Sequence, residues 1–193
     1  MFLDKSGMSK ALGAAYKSGG YTLGGTADIL RVYSADWYLE APWKQIPRKA
    51  LAKITEHIGI IDVEDFPLLV HDGTDPQSVM PGMVGDAVAA WHPKGEGQLA
   101  SSTQMFIGPD QLWQTAAKQV YKISLADLEI MIDGAQSVSA TIYATDDDAN
   151  GVAMWQVDNL LVALRTHRPP GWESSTEKAV WNALESVNLV DDM

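Results

Sequence analysis

The chain of 193 residues has the length of one domain, and its apolar fraction of 46% is typical of a globular protein. Twenty-five acidic against fourteen basic residues give a net charge of −11, which disfavours nucleic acid as a direct ligand because phosphate contacts need clustered Lys and Arg. The absence of cysteine excludes disulfides and thiolate chemistry and favours a cytoplasmic location, and no apolar run reaches the ~18 residues that a membrane helix needs.

The N-terminal third predicts helices around a β-hairpin. Apolar and β-branched residues flank a Ser-Ala-Asp turn at residues 34–36, and a proline suits the first turn of a helix. The glycines at positions 19–25 are expected to permit tight turns. The predicted elements are a helix from Ser9 to Lys17, strands over Ala27–Tyr33 and Trp37–Ala41, a helix from Pro47 to Ile58 and a short strand over Phe66–His71.

The rest of the chain predicts more helices and an antiparallel meander. Residues 72–98, rich in Gly, Pro and Asp, are expected to form an irregular excursion with one strand around Val84–Trp91. Beyond it we expect a helix from Pro109 to Lys122, a short helix from Ser124 to Gly134, strands over Ser137–Thr145, Val152–Val157 and Leu160–His167, and a last helix from Ser174 or Ser175 to Val187, burying Val180, Trp181 and Leu184. A helix over the Val157–Leu164 region is an alternative, because its apolar residues also fit a 3.6-residue period.

These elements predict an α+β fold. Its antiparallel sheet would combine the N-terminal hairpin with the C-terminal meander, and about four or five helices would pack against it. No linker is long enough to separate domains, so residues 1–193 are expected to form a single one.

Acidic residues are concentrated in two stretches that contain no Lys or Arg. One lies between Lys53 and Lys94, and the other runs from Ile123 to Leu164. Such stretches produce a lasting negative field, which repels nucleic acid and attracts basic protein surfaces. The densest groups are Asp62, Glu64 and Asp65 in the first stretch and Asp146, Asp147 and Asp148 in the second.

The segment Asp146–Gly151 matches the first half of an EF-hand loop. Asp146, Asp148 and Asn150 would supply alternate side-chain oxygens to Ca²⁺, and the glycine would permit the sharp turn. The second half of the pattern fails, because Val157 stands where a bidentate Glu is required. A solvated hairpin tip is the simpler interpretation, and a calcium-binding module is kept as an alternative function.

A second alternative is an enzyme with a histidine and aspartate site. His71, Asp72, Asp75 and His92 are residue types that can bind a metal or transfer protons, as in a hydrolase. No pair of them has the spacing of a known metal motif, and Asp-Gly and Asp-Pro are ordinary turn sequences. The sequence therefore favours a protein without catalytic residues and without a required cofactor.

Two tryptophans are candidates for surface anchors. Trp43 lies between Pro42 and Pro47, and Trp172 follows Pro170-Gly171, so both are expected in loops. Tryptophan is enriched at binding hot spots, although burial at the ends of the core is the commoner role.

The hypothesis that unites these observations is an acidic protein-binding module. Clustered carboxylates can imitate the phosphates of nucleic acid and occupy the basic groove of a nucleic-acid-handling protein. An inhibitor from a phage or mobile element that counteracts a host defence nuclease has this profile. The one basic cluster, Lys44, Arg48, Lys49 and Lys53, suggests in addition that an acidic surface of a second copy could bind there to form a homodimer.

Overall fold

The computed structural model describes residues 2–136, 138–144, 150–167 and 175–190. Over these residues eleven strands form one antiparallel sheet accompanied by six α-helices, which confirms the α+β class. The strands are β1 (Tyr21–Gly25), β2 (Ile29–Tyr33), β3 (Trp37–Pro42), β4 (Leu68–Val70), β5 (Gln77–Ser78), β6 (Gln98–Ile107), β7 (Asp110–Thr115), β8 (Val120–Ser124), β9 (Ala140–Ala144), β10 (Asn150–Val157) and β11 (Leu160–His167). The helices are α1 (Gly7–Ser18), α2 (Arg48–Ile58), α3 (Pro81–Ala89), α4 (Leu125–Leu128), α5 (Asp133–Gln136) and α6 (Ser175–Ser186). None of these helices is long and apolar enough to span a membrane.

Six strands of the C-terminal part pair in a closed ring. The meander β6–β7–β8 and the meander β9–β10–β11 are joined by pairing of β6 with β9 and of β8 with β11. Trp113 on β7 and Trp155 on β10 are buried and meet edge to face, with ring centroids 5.3 Å apart. Because these two strands are not neighbours, the contact crosses the interior of the ring and fills it with aromatic surface.

The N-terminal strands extend the sheet from β11. β3 pairs with β11, and the order continues through β2, β1, β4 and β5. Helices α1 and α2 cover one face of this extension, where Leu12 and Ile54 join the same buried cluster as Leu39. The opposite face carries a smaller cluster that includes Tyr38 and Trp91. Around β3 the extension is therefore buried on both faces, by α1 and α2 on one side and by the residues around α3 on the other.

Predictions based on short-range patterns are confirmed in outline, with bounds that differ by a few residues. The hairpin β2–β3, helix α2, strand β4 and the strands β9, β10 and β11 all lie where their periodicity and turn residues place them. In the hairpin turn, the hydroxyl of Ser34 accepts hydrogen bonds from the backbone N–H groups of Asp36 and Trp37. The helical alternative near Val157–Leu164 is wrong, because these residues belong to β10 and β11 and their turn.

The predicted helix from Pro109 to Lys122 is wrong. This segment forms β7 and β8, and Pro109 lies in the hairpin turn after Gly108. Leu112 is buried beneath Trp181 of α6, whereas Trp113 faces the main core. A strand that is buried on both faces lacks the alternation of apolar and polar residues by which strands are recognised.

Four further predictions need correction. The strand expected around Val84–Trp91 is instead helix α3 followed by a turn, and the glycine-rich segment before residue 26 forms β1 rather than only turns. The last helix buries Trp181 but leaves Val180 about half exposed. The count of six α-helices over the described residues exceeds the predicted four or five, partly because the segment from Ser124 to Gly134 is divided between α4 and α5.

Candidate functional site

The predicted acidic group Asp62, Glu64 and Asp65 lies on an exposed turn between α2 and β4. Helix α2 ends at Ile58 and is followed by Gly59, whose positive φ of 78° suits glycine, and residues Val63–Asp65 then form one turn of 3-10 helix. A side-chain oxygen of Asp62 accepts a hydrogen bond from the backbone N–H of Glu64 at 3.0 Å and so caps this turn. All three carboxylates are exposed, and within the described part of the chain none has an ion-pair partner.

An aromatic stack adjoins this turn. The rings of Trp43 and Phe66 are stacked, with centroids 6.4 Å apart and planes 14° from parallel. The indole Nε1 of Trp43 donates a hydrogen bond to the carbonyl oxygen of Thr26 at 3.0 Å, which fixes the orientation of the ring. Because Phe66 follows Asp65 directly, the stack places the predicted anchor Trp43 beside the predicted acidic group. We call Trp43, Asp62, Glu64, Asp65 and Phe66 the acidic-aromatic surface.

Some predicted binding residues lie outside the described part of the chain. These are Asp146, Asp147 and Asp148 of the second acidic group and the second anchor, Trp172. Asn150 is the first residue of β10, and Val157 is its last, paired with Leu160 across a hairpin. The position that would hold the bidentate Glu of an EF-hand therefore belongs to a strand. The calcium site and the roles of these residues in binding stay predictions.

The histidines of the enzyme alternative contact different parts of the fold. The imidazole of His71 lies within hydrogen-bonding distance of the Thr74 hydroxyl, in its own turn, whereas His92 contacts the hydroxyl of Tyr38 on β3 at 3.4 Å. Asp72 and Asp75 are exposed. Among the described residues, no group of three or more His, Asp or Glu side chains is arranged to hold a metal ion.

A half-buried polar network underneath His92 was not predicted. The carboxylate of Glu40 accepts hydrogen bonds from Arg31 Nε at 2.6 Å and from the Tyr38 hydroxyl at 2.7 Å. Burial opposes the ionisation of Glu40, but the bonds from Arg31 and Tyr38 outweigh it and hold its pKa below the usual value. Arg31, Tyr38 and Glu40 lie on neighbouring strands and satisfy one another, so their role is structural.

The basic cluster is partly neutralised. Lys53 of α2 forms an ion pair with Glu56 at 2.9 Å, and Lys49 hydrogen-bonds the hydroxyl of Ser6 at the start of α1. On the same side of α2, His57 stacks on Tyr16 and shares a 2.9 Å hydrogen bond with the Tyr21 hydroxyl. These contacts join α1 to α2, and the homodimer stays a prediction.

A cleft of about 440 Å³ between α1, the hairpin turn β2–β3 and α4 is lined by three acidic residues. Glu129 pairs there with Lys10, whereas the other two, Asp36 and Asp127, repel each other, and neither was singled out as a site residue from the sequence. The pKa of Asp127 is raised to about 6, mainly because the side chain is partly buried and secondly because Asp36 is negatively charged. The two residues are far apart in the chain, so only the fold brings them to one cleft. The carboxylates of Asp36 and Asp127 therefore repel each other in the folded protein at neutral pH.

We expect Asp127→Asn to stabilise the protein at pH 7.5 by about 1–2 kcal/mol, after allowance for partial exposure to solvent. The pKa of Asp127 is about 6 in the folded state and about 4 in the unfolded chain, so ionisation costs more when the protein is folded. This cost is absent below pH 4 and complete above pH 6. Thermal melts from pH 4 to 8 should show that the melting temperature of the variant exceeds that of the wild type by an amount that grows as the pH rises. A gap that is constant with pH, or equal to that of the exposed control Asp75→Asn, would contradict this assignment.

The chain matches no protein-family model, and comparisons with curated proteins and with solved structures give no significant match.

Proposed function

We propose that the protein is a non-enzymatic binding module whose acidic-aromatic surface binds a basic protein surface. The observation that carries the proposal is the Trp43–Phe66 stack, which sets an oriented indole next to three exposed carboxylates that lack described ion-pair partners. Charge and aromatic area serve different purposes in such a surface. Unpaired carboxylates accelerate association with a basic partner, while a desolvated aromatic ring slows dissociation.

The charge distribution supports a basic partner over nucleic acid. Residues 60–193 carry twenty acidic and six basic residues, whereas residues 1–59 carry eight basic and five acidic ones. The turn that bears Asp62, Glu64 and Asp65 lies at the start of the acidic part. Its exposed carboxylates follow one another closely, so they can bind lysines and arginines that otherwise contact successive phosphates.

The partner that fits this chemistry is a nucleic-acid-handling protein with a basic groove. A small acidic protein that occupies such a groove excludes the nucleic acid by competition and needs no catalytic residues. We therefore propose an inhibitor of the kind that phages and mobile elements use against host defence nucleases. Within the proposal, the protein acts in the cytoplasm, where such nucleases meet foreign DNA.

The proposal is tested with labelled duplex DNA and a fluorescent peptide of eight arginines. At 50 mM salt the protein should not retard the DNA, should bind the peptide, and should release DNA from a preformed peptide–DNA complex. Raising the salt to 200 mM should weaken peptide binding about tenfold or more, because screening acts on every exposed ion pair. Retardation of DNA by the protein alone, or peptide affinity that does not change with salt, would contradict the proposal.

A further inference from the structure

A pocket of about 450 Å³ lies beside the acidic-aromatic surface. It is bounded by the β1–β2 turn on one side and by the 3-10 turn Trp43–Gln45 on the other. Its apolar lining residues are Ala27, Ile29, Pro42 and Trp43, and its charged ones are Asp28 and Lys44. Trp43 therefore belongs both to this pocket and to the stack with Phe66, while Phe66 is not among the described residues that line the pocket.

Hydrogen bonds join the two walls of the pocket. The Trp43 indole donates to the Thr26 carbonyl at 3.0 Å, and the backbone N–H of Trp43 donates to the Asp28 carbonyl at 3.2 Å. The hydroxyl of Thr26 accepts hydrogen bonds from the N–H groups of Asp28 and Ile29, which closes the turn. A ring that is already fixed loses little conformational entropy when a ligand packs on it.

The negative charge of the pocket comes from Asp28. Its side chain is exposed, and within the described ranges the carboxylate has no ion-pair partner. An aromatic face together with a free carboxylate is the combination that binds a flat cation: the ring attracts the positive charge and the carboxylate accepts its hydrogen bonds.

We propose that this Trp43 pocket receives an arginine side chain of the basic partner, an inference that rests on the proposed function. The guanidinium would stack on the indole and pair with Asp28. Arginine fits better than lysine, because a guanidinium is planar, is weakly hydrated and can pair with a carboxylate through two N–H groups, whereas an ammonium is compact and strongly hydrated.

Lys44 also lines the pocket and opposes a second cation there. Its side chain is exposed, so it can turn into solvent when arginine enters, at a cost to affinity. This residue supplies a test of opposite sign, since removing Lys44 should strengthen binding of an arginine while removing Asp28 or Trp43 should weaken it.

The experiment compares two octapeptides of equal charge, one of eight lysines and one with a single central arginine among seven lysines. The wild-type protein should bind the arginine-containing peptide about threefold more tightly at 100 mM salt. Asp28→Asn and Trp43→Ala should abolish this preference, Trp43→Phe should retain part of it, and Lys44→Ala should enlarge it. Asp75→Asn, an exposed control of the same charge change, should leave it unaltered.

The outcomes separate this inference from the proposed function. Equal affinity for the two peptides, or a preference that survives both Asp28→Asn and Trp43→Ala, would overturn the arginine pocket. Salt-dependent binding of both peptides would still support the acidic surface in that case. Absence of salt-dependent binding to either peptide would overturn both. Asp28→Asn retains the shape of the turn, so its result stands even if Trp43→Ala lowers the melting temperature.

Discussion

Gly7→Ala should destabilise the protein by about 3 kcal/mol and lower its melting temperature by roughly 6–12 °C. Gly7 is the buried first residue of α1, and a methyl group there would overlap the backbone carbonyl of Glu129, after α4. A clash with the backbone cannot be relieved by a change of rotamer, as a clash with a flexible side chain can. The variant must therefore either move α1 away from the segment that follows α4 or leave the helix start disordered.

Gly13→Ala is the matched control within the same helix. A methyl group at this position would meet only the end of the flexible Lys53 side chain, at 3.5 Å. Because glycine costs helix interiors about 0.5–1 kcal/mol relative to alanine, Gly13→Ala should stabilise the protein by about that amount. Thermal and urea unfolding of both variants measures the contrast. If Gly7→Ala is as stable as the wild type, α1 does not pack against Glu129 as described.

The sequence predicted those parts of the fold whose signals are local. Helix α2 follows Pro47 and ends before Gly59, and the hairpin β2–β3 turns at Ser34, so each is specified by residues close in the chain. β7 could not be recognised in this way. Leu112 and Trp113 are adjacent residues of this strand, and both are apolar because they face two different hydrophobic clusters. Only the tertiary structure brings these two clusters to the two faces of the strand.

The candidate site was predicted in its chemistry but not in its assembly. Exposed acids and a loop tryptophan were apparent from composition and from the prolines around Trp43. That Phe66 joins them, and that Asp28 shares a pocket with Trp43, depends on contacts between distant parts of the chain. Asp36 and Asp127 were missed for the same reason, because their interaction exists only when α4 packs beside the hairpin turn.

We expect neutralisation of the acidic-aromatic surface to weaken binding of the eight-arginine peptide about tenfold. Exposed ion pairs contribute up to about 1 kcal/mol each, so three carboxylates together account for roughly 1.4 kcal/mol or more. The variant is Asp62→Asn with Glu64→Gln and Asp65→Asn. Asparagine at position 62 can still accept the hydrogen bond that caps the 3-10 turn, so the melting temperature should change little.

The control variant is Asp75→Asn with Asp86→Asn and Glu96→Gln, which removes three exposed carboxylates of the same types elsewhere on the surface. Both variants reduce the net charge equally, from −11 to −8, so any difference between them reflects position rather than overall field.

The most direct measurement of the central claim is the dissociation constant of the eight-arginine peptide for the wild type and these two triple variants at 100 mM salt. A specific binding surface predicts about tenfold weaker binding for the variant at positions 62, 64 and 65 and less than twofold for the control. Equal weakening by both would contradict the claim, because the acidic residues would then act only through net charge.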